Sequence, residues 1–147
     1  MRKKRGIIKA QPYKYELQVG NMRAKLPQFT AKKTPEGYDF IGVLNPRGTE
    51  YKVQIKYRKN NHPVVFVLNP VITTNKHRYT DGSLCIYKQP EFRWREDLLV
   101  CNYIVPLTCM WLHFYELYLE HGRWFGPEAE HDSGSDIRKK RIEMPEE

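Results

Sequence analysis

Tyr51-Lys52-Val53-Gln54-Ile55-Lys56-Tyr57 alternates apolar and polar residues without a break. Tyr51, Val53, Ile55 and Tyr57 fall on one face, and Lys52, Gln54 and Lys56 on the other. Side chains of an extended chain point to opposite sides in turn, so this stretch predicts a half-buried antiparallel strand. Towards the N-terminus, Tyr38 to Leu44 is a second strand candidate, closed by the turn Asn45-Pro46-Arg47-Gly48. Towards the C-terminus, the polar run Arg58 to His62 makes another turn. Val64 to Leu68 then reads as a short apolar strand stopped by Asn69-Pro70. Three strands joined by short turns predict a β-meander.

Farther out the pattern changes. Residues 1–8 read as a basic tail. Residues 11–26 fit two readings: Tyr13, Tyr15, Leu17 and Val19 alternate like a strand, whereas Tyr15, Val19, Met22 and Leu26 are spaced for a helix. Residues 71–95 hold few regular periods, and a region this long without them is often functional. Helix is predicted from about Glu96 to His121, in segments split near Pro106, until Gly122 breaks it. Residues 132–147 are polar and charged. The predicted architecture is α+β, an antiparallel meander packed against helices. It forms one domain over residues 9–131 between two charged tails.

Composition narrows the function. At 147 residues and 40% apolar, the chain is large enough for one hydrophobic core. The net charge of +8 suits an anionic partner, but much of it sits in the terminal runs Arg2 to Arg5 and Arg138 to Arg141. No nucleic-acid motif accompanies it, so nucleic acid is not the expected partner. Leu98 to Leu119 is long enough to span a bilayer, but Asn102, Pro106, Thr108, His113 and Glu116 interrupt it, and several would be costly in lipid. No membrane association is expected. Cys85, Cys101 and Cys109 are odd in number and without framework spacing, and no secretory signal precedes them. Free thiols in the cytoplasm follow as the expectation.

The chemistry concentrates in His77-Arg78-Tyr79-Thr80-Asp81-Gly82-Ser83-Leu84-Cys85-Ile86-Tyr87. Asp81-Gly82 is a turn dipeptide that can bring His77 back beside the Cys85 thiol. An unperturbed thiol titrates near roughly 8.5, so only a few per cent is thiolate at neutral pH. An imidazole beside it can take the thiol proton, or its N–H can support an oxyanion at a thioester carbonyl. A buried inert cysteine and a loop histidine bonded to a carbonyl would read the same way. Asp81 fits a turn-building role best. Asp81, Glu91 and Asp97 are carboxylates that could orient an incoming amine, Lys88 a site of self-modification, and Trp94 a packing residue. Cys109 and His113 share a helix face, but two ligands do not make a metal site. No metal and no cofactor are expected.

The order of these features resembles the ubiquitin-conjugating enzymes. In that family a meander ends in a Pro-containing segment, an irregular stretch carries His-Pro-Asn and then Gly-x-[Ile/Leu]-Cys, and helices follow. Val64 to Pro70 resembles the last strand, and Gly82-Ser83-Leu84-Cys85 the cysteine signature. The family asparagine lies eight residues before the cysteine, where this chain has His77. Asn75 stands at the family histidine and Lys76 at the proline, so the tripeptide is not preserved. A histidine at that place is similar to the bacterial relatives found in antiphage operons of the CBASS type. Trp111-Leu112-His113-Phe114-Tyr115-Glu116 and Trp124-Phe125-Gly126-Pro127-Glu128-Ala129-Glu130-His131 also resemble that group.

The resemblance implies a transferase. Cys85 would carry a protein C-terminus as a thioester and pass it to an amine, with a lysine-bearing protein as acceptor. His77 would do the work of the family asparagine, and Asn75 and Asp81 would support it. The donor it implies is the cGAS-like nucleotidyltransferase that makes the cyclic signal in such operons, or, in other operons, a ubiquitin-like protein. Two other classes stand beside this one. An inactive binding module would keep the fold without the chemistry, and a cysteine hydrolase would use Cys85 and His77 to release rather than transfer.

Overall fold

The computed structural model describes residues 15–87 and 92–127. The expected tails over residues 1–8 and 132–147, Lys88, Glu91 and the 128–131 end of the tryptophan segment lie outside the described residues. Residues 15–25 form helix α1. Four strands follow: β1 (Thr30–Thr34), β2 (Gly37–Leu44), β3 (Tyr51–Arg58) and β4 (Val64–Asn69). Helix α2 (Val100–His121) closes the series. The strands make one antiparallel sheet in the order β1-β2-β3-β4. The result is the α+β meander-and-helix architecture expected.

The alternation in β3 sets the sheet's inner face. Tyr51, Val53, Ile55 and Tyr57 are all buried, and they pair with β2 in register from Leu44↔Tyr51 to Gly37↔Arg58. Phe40 and Val65 add to the same layer. From the helices come Met22, Val100, Ile104, Trp111, Leu112 and Tyr115, and all join one buried cluster. Fully burying an apolar side chain of this size stabilises the fold by about 1.5–3 kcal/mol, so this shared core holds helix to sheet. Between β3 and β4 the register slips at Lys52/Val53, leaving Leu68 as an extra, exposed residue.

Three expectations need correction. The meander has four strands rather than three. The missed one, β1, reads Thr-Ala-Lys-Lys-Thr and pairs only with β2, so as a polar edge strand it needs no apolar alternation. Helix α2 begins at Val100, not near Glu96, because Leu99 is extended at φ −95°, ψ 131°. And α2 is not split: Pro106 sits inside one continuous helix. Proline removes one hydrogen bond, to the carbonyl of Asn102, but Asn102 is exposed, where water can take that carbonyl.

The ambiguous N-terminal stretch is helix where it is described. Tyr15, Val19, Met22 and Leu26 turn inward, while Leu17, which a strand would have buried, is 43% exposed. On the same inward face lies Gln18. Its Nε2 donates to the Leu98 carbonyl at 2.6 Å, and its Oε1 accepts the Val100 N–H at 2.9 Å. No side chain at Leu99 caps α2, so a glutamine from α1 supplies the cap across the core. At the other end Gly122 takes φ +82° and returns its N–H to Tyr118 O at 2.8 Å. That left-handed turn is one glycine adopts without strain. It sends the following residues back along the helix. Among the described residues, no helix is long and apolar enough to cross a membrane.

Candidate active site

After the cis Asn69–Pro70 peptide the chain leaves the sheet and runs without regular structure to residue 75. It then doubles back in a tight hairpin. Arg78 pairs with Leu84, Tyr79 N–H bonds Ser83 O at 2.9 Å, and Gly82 N–H bonds Tyr79 O at 2.8 Å. Asp81 builds the turn: its Oδ1 accepts the Ser83 N–H at 2.9 Å and the Ser83 hydroxyl at 2.7 Å. Partial burial pushes the Asp81 carboxyl up, but these Ser83 hydrogen bonds and the charge of Lys56 outweigh it and hold the group below its ordinary value. Gly82 supplies the left-handed φ of +92° that the reversal needs. Leu84 N–H then bonds Val65 O at 2.9 Å, fastening the hairpin to β4.

This reversal brings His77 opposite Cys85. The Cys85 N–H donates to the His77 carbonyl at 2.8 Å, and the Nε1–H of Trp111 on α2 donates to the same oxygen at 3.1 Å. His77 itself has φ +58°, a conformation that strains a non-glycine residue by on the order of 1 kcal/mol or more. The two hydrogen bonds on its carbonyl offset that strain. The residue is 4% exposed, and its ring lies over Trp124, with centroids 4.5 Å apart and planes tilted by 34°. Trp124 is the residue that the Gly122 turn folds back, and it also packs 5.4 Å from Trp111. Gly126 completes the return: a β-carbon there would lie 2.6 Å from the Phe114 ring, so only glycine lets the chain pass.

His77 and Cys85 line one cavity of about 220 Å³ together with Tyr87, Trp111, Phe114 and Trp124. Small-molecule sites usually start at roughly 300 Å³, so this is room for an amino-acid side chain or two. Cys85 is 9% exposed, and its Sγ–H points to the Tyr87 carbonyl at 3.6 Å. Burial pushes both Cys101 and Cys109 up, which keeps them protonated at neutral pH. All three cysteines are free.

The remaining candidates spread away from this cavity. Asn75 is half-buried in the segment before His77, and Asp81 is at the exposed hairpin tip; neither lines the cavity with Cys85. Asp97 is exposed and pairs with Arg95 at 3.0 Å. Trp94 packs against the core, edge-on to Tyr57 at 6.3 Å, in keeping with a packing role. Among the described residues, no group of three or more His, Cys, Asp or Glu is placed to hold a metal.

Two residues of the quoted segment went unremarked in the sequence. Arg78 is a brace: its guanidinium donates to the carbonyls of Thr74 at 2.8 Å, Gly82 at 3.3 Å and Ile72 at 3.4 Å. Burial pulls it below its ordinary value, partly offset by Tyr115. Tyr115 braces the same segment through Thr73, whose N–H donates to its hydroxyl at 3.0 Å. The other residue is Tyr87, whose hydroxyl is buried. Nothing in local sequence marks either one: the carbonyls around Arg78 converge only once the hairpin has closed, and the Tyr87 hydroxyl has no hydrogen-bond partner among the described residues.

Compared with known families, the chain matches over residues 18–132 the model of a family described as Type II CBASS E2 protein. No curated protein matches it.

Proposed function

The chain belongs to the type II CBASS E2 family, a group of conjugating-enzyme-like proteins of antiviral defence that work with other CBASS proteins, and on that premise we propose that it is a cysteine-dependent acyl transferase. The observation that carries this reading is the pairing of Cys85 with His77, main chain bonded to main chain, on the wall of one cavity.

In the proposed reaction the Cys85 sulfur is joined to the C-terminal carbonyl carbon of a donor protein. An amine, from a lysine of the acceptor, attacks that carbon and forms a new C–N bond. The carbonyl oxygen takes the negative charge of the tetrahedral intermediate, and a ring N–H of His77 donates to it. The intermediate collapses by breaking the C–S bond. Cys85 leaves as thiolate, and the amine's excess proton passes to it or to water. The product is an amide. The thioester preserves the activation of the carboxyl, so this step needs no nucleotide. Membership in a CBASS family favours the cGAS-like nucleotidyltransferase as donor, acting in the cytoplasm, over a ubiquitin-like protein.

The test is co-expression with the genomic neighbours, read by non-reducing gel and intact mass, for the parent, Cys85→Ser and Cys85→Ala. The expected result is a thiol-sensitive adduct on the parent that is absent from Cys85→Ala and trapped as an ester on Cys85→Ser. Its mass names the donor. Partner binding without an adduct in any variant would overturn the transferase reading in favour of a binding module. Release of free partner without a conjugate would point to a hydrolase.

A further inference from the structure

The grip of Cys85 and Trp111 on the His77 carbonyl fixes the peptide of residue 77 but leaves its side-chain torsions open. The indole of Trp124 packs on one face of the ring, with centroids 4.5 Å apart and planes tilted by 34°. A contact through the face does not engage the ring's N–H groups, which lie in its plane. Trp124 is itself held firmly. It is buried, and it packs 5.4 Å from Trp111, 6.2 Å from Phe114 and 6.3 Å from Tyr118. Those three residues stand at i, i+3 and i+7, on one face of α2. The chain is tied on either side as well. The Gly122 N–H returns to Tyr118 O at 2.8 Å, and Gly126 passes the Phe114 ring where no β-carbon would fit. Trp124, His77 and Cys85 line the same cavity.

We infer that Trp124 is a positioning residue. It holds the His77 ring in the rotamer that presents an N–H to the oxyanion formed at the Cys85 thioester. An oxyanion donor acts only within about 2.7–3.1 Å of the charged oxygen, so a ring free to swing loses much of its effect. A flat indole restricts both the place of the ring and its rotation, whereas an aliphatic side chain would fill volume without matching the plane. The chain beyond α2 thus sets the chemistry of a residue in the hairpin. This inference rests on the transferase reading above, with His77 as the donor.

The test separates loading from discharge on the full chain. A short synthetic peptide ending in Gly and carrying a C-terminal mercaptoethanesulfonate thioester loads Cys85. The thiolate attacks the peptide carbonyl, a new C–S bond forms, and mercaptoethanesulfonate leaves as thiolate. Excess peptide is removed and free lysine is added. Its amine attacks the carbonyl, the C–N bond forms and the C–S bond breaks. Cys85 leaves as thiolate, and the amine's excess proton passes to water. Intact mass follows a single turnover for the parent, Trp124→Leu, Trp124→Phe, His77→Ala and the double variant His77→Ala/Trp124→Leu, each well below its melting temperature. Cys85→Ala is the loading control.

Trp124→Leu is expected to discharge about tenfold more slowly than the parent. Trp124→Phe keeps a flat face and should recover most of that rate. In the His77→Ala background Trp124→Leu should change nothing further, because the ring it positions is gone. A merely structural tryptophan would slow both backgrounds by the same factor.

That equal factor would overturn the positioning role and leave the transferase reading intact. So would Trp124→Leu as fast as the parent or faster, or Trp124→Phe as slow as Trp124→Leu. Discharge of His77→Ala at the parent's rate would remove the ring from the reaction, and this inference with it. No loading of the parent, or loading of Cys85→Ala as fast as the parent, would overturn the reading beneath as well.

Discussion

The indole N–H of Trp111 donates to the main-chain carbonyl of His77 at 3.1 Å, so a helix residue grips the histidine by its peptide rather than by its ring. The same oxygen accepts the Cys85 N–H. The position of residue 77 is therefore fixed from two sides whatever side chain it bears. Replacing the imidazole removes a functional group without cutting the hydrogen bonds that shape the hairpin.

That separation makes His77 testable. His77→Ala is expected to slow transfer from a preformed Cys85 thioester by roughly a hundredfold or more, the usual loss when one oxyanion donor is removed. His77→Asn is the companion variant. Asparagine tolerates the left-handed φ of +58° better than most residues, and its side-chain amide is also an N–H donor. It should keep the fold and retain most of the rate. Single-turnover discharge onto free lysine decides the matter, and an alanine variant as fast as the parent would remove His77 from the mechanism.

Arg78 should matter to stability more than its place on a loop suggests. Three carbonyls share its guanidinium. Arg78→Met keeps much of the side chain's apolar length but leaves those acceptors unpaired in a part-buried site. A loss of about 2 kcal/mol in denaturant unfolding is expected, in line with hydrogen bonds to a charged group. A midpoint unchanged from the parent's would show that water replaces the guanidinium at no cost.

The trans cap predicts a similar penalty far from the site. Gln18→Leu should lose both the bond to the Leu98 carbonyl and the acceptor for the Val100 N–H, at a cost of about 1–3 kcal/mol. Gln18→Glu keeps the acceptor for Val100 but sets a buried carboxylate against the Leu98 carbonyl oxygen, so at neutral pH it should melt no higher than the leucine variant, and it should recover as acid protonates the group and restores a donor.

Alkaline pH should unfold the protein early. Tyr57 is pushed up to about 12 by burial and then by the charge of Glu96, and Tyr87 to about 12 by burial and then by Cys85. Their folded values lie above the ordinary 10.0, so the stability they contribute is complete below pH 10 and is lost as pH rises from about 10 to about 12. Melting temperature followed together with tyrosinate absorbance checks this. Ionisation of every tyrosine near pH 10 with the fold intact would contradict it.

How far the sequence could be read depended on the range of the interactions involved. The β3 alternation and the Asp81-Gly82 turn are local, and both are visible in consecutive residues. The pairing of His77 with Cys85 followed from that turn. The strand β1 escaped because an edge strand of Thr and Lys buries too little to leave a period of two. The start of α2 escaped for a different reason. The residue that sets it, Gln18, lies 82 positions away, beyond any window of sequence pattern. The unbroken passage of α2 through Pro106 depended likewise on what surrounds the helix.

The contrast in range has a consequence for how the site comes into being. A loop closed between His77 and Cys85 spans eight residues, whereas the Gln18 to Val100 link spans 82. On chain entropy alone the shorter closure is easier by about 2 kcal/mol. His77 and Cys85 are thus brought together, main chain to main chain, by a segment short enough to be exchanged as one piece. A graft of residues 77–85 onto another meander of this kind would bring the facing pair with it, while Trp111 and Trp124, which grip it from α2 and the chain beyond, would have to be supplied by the host.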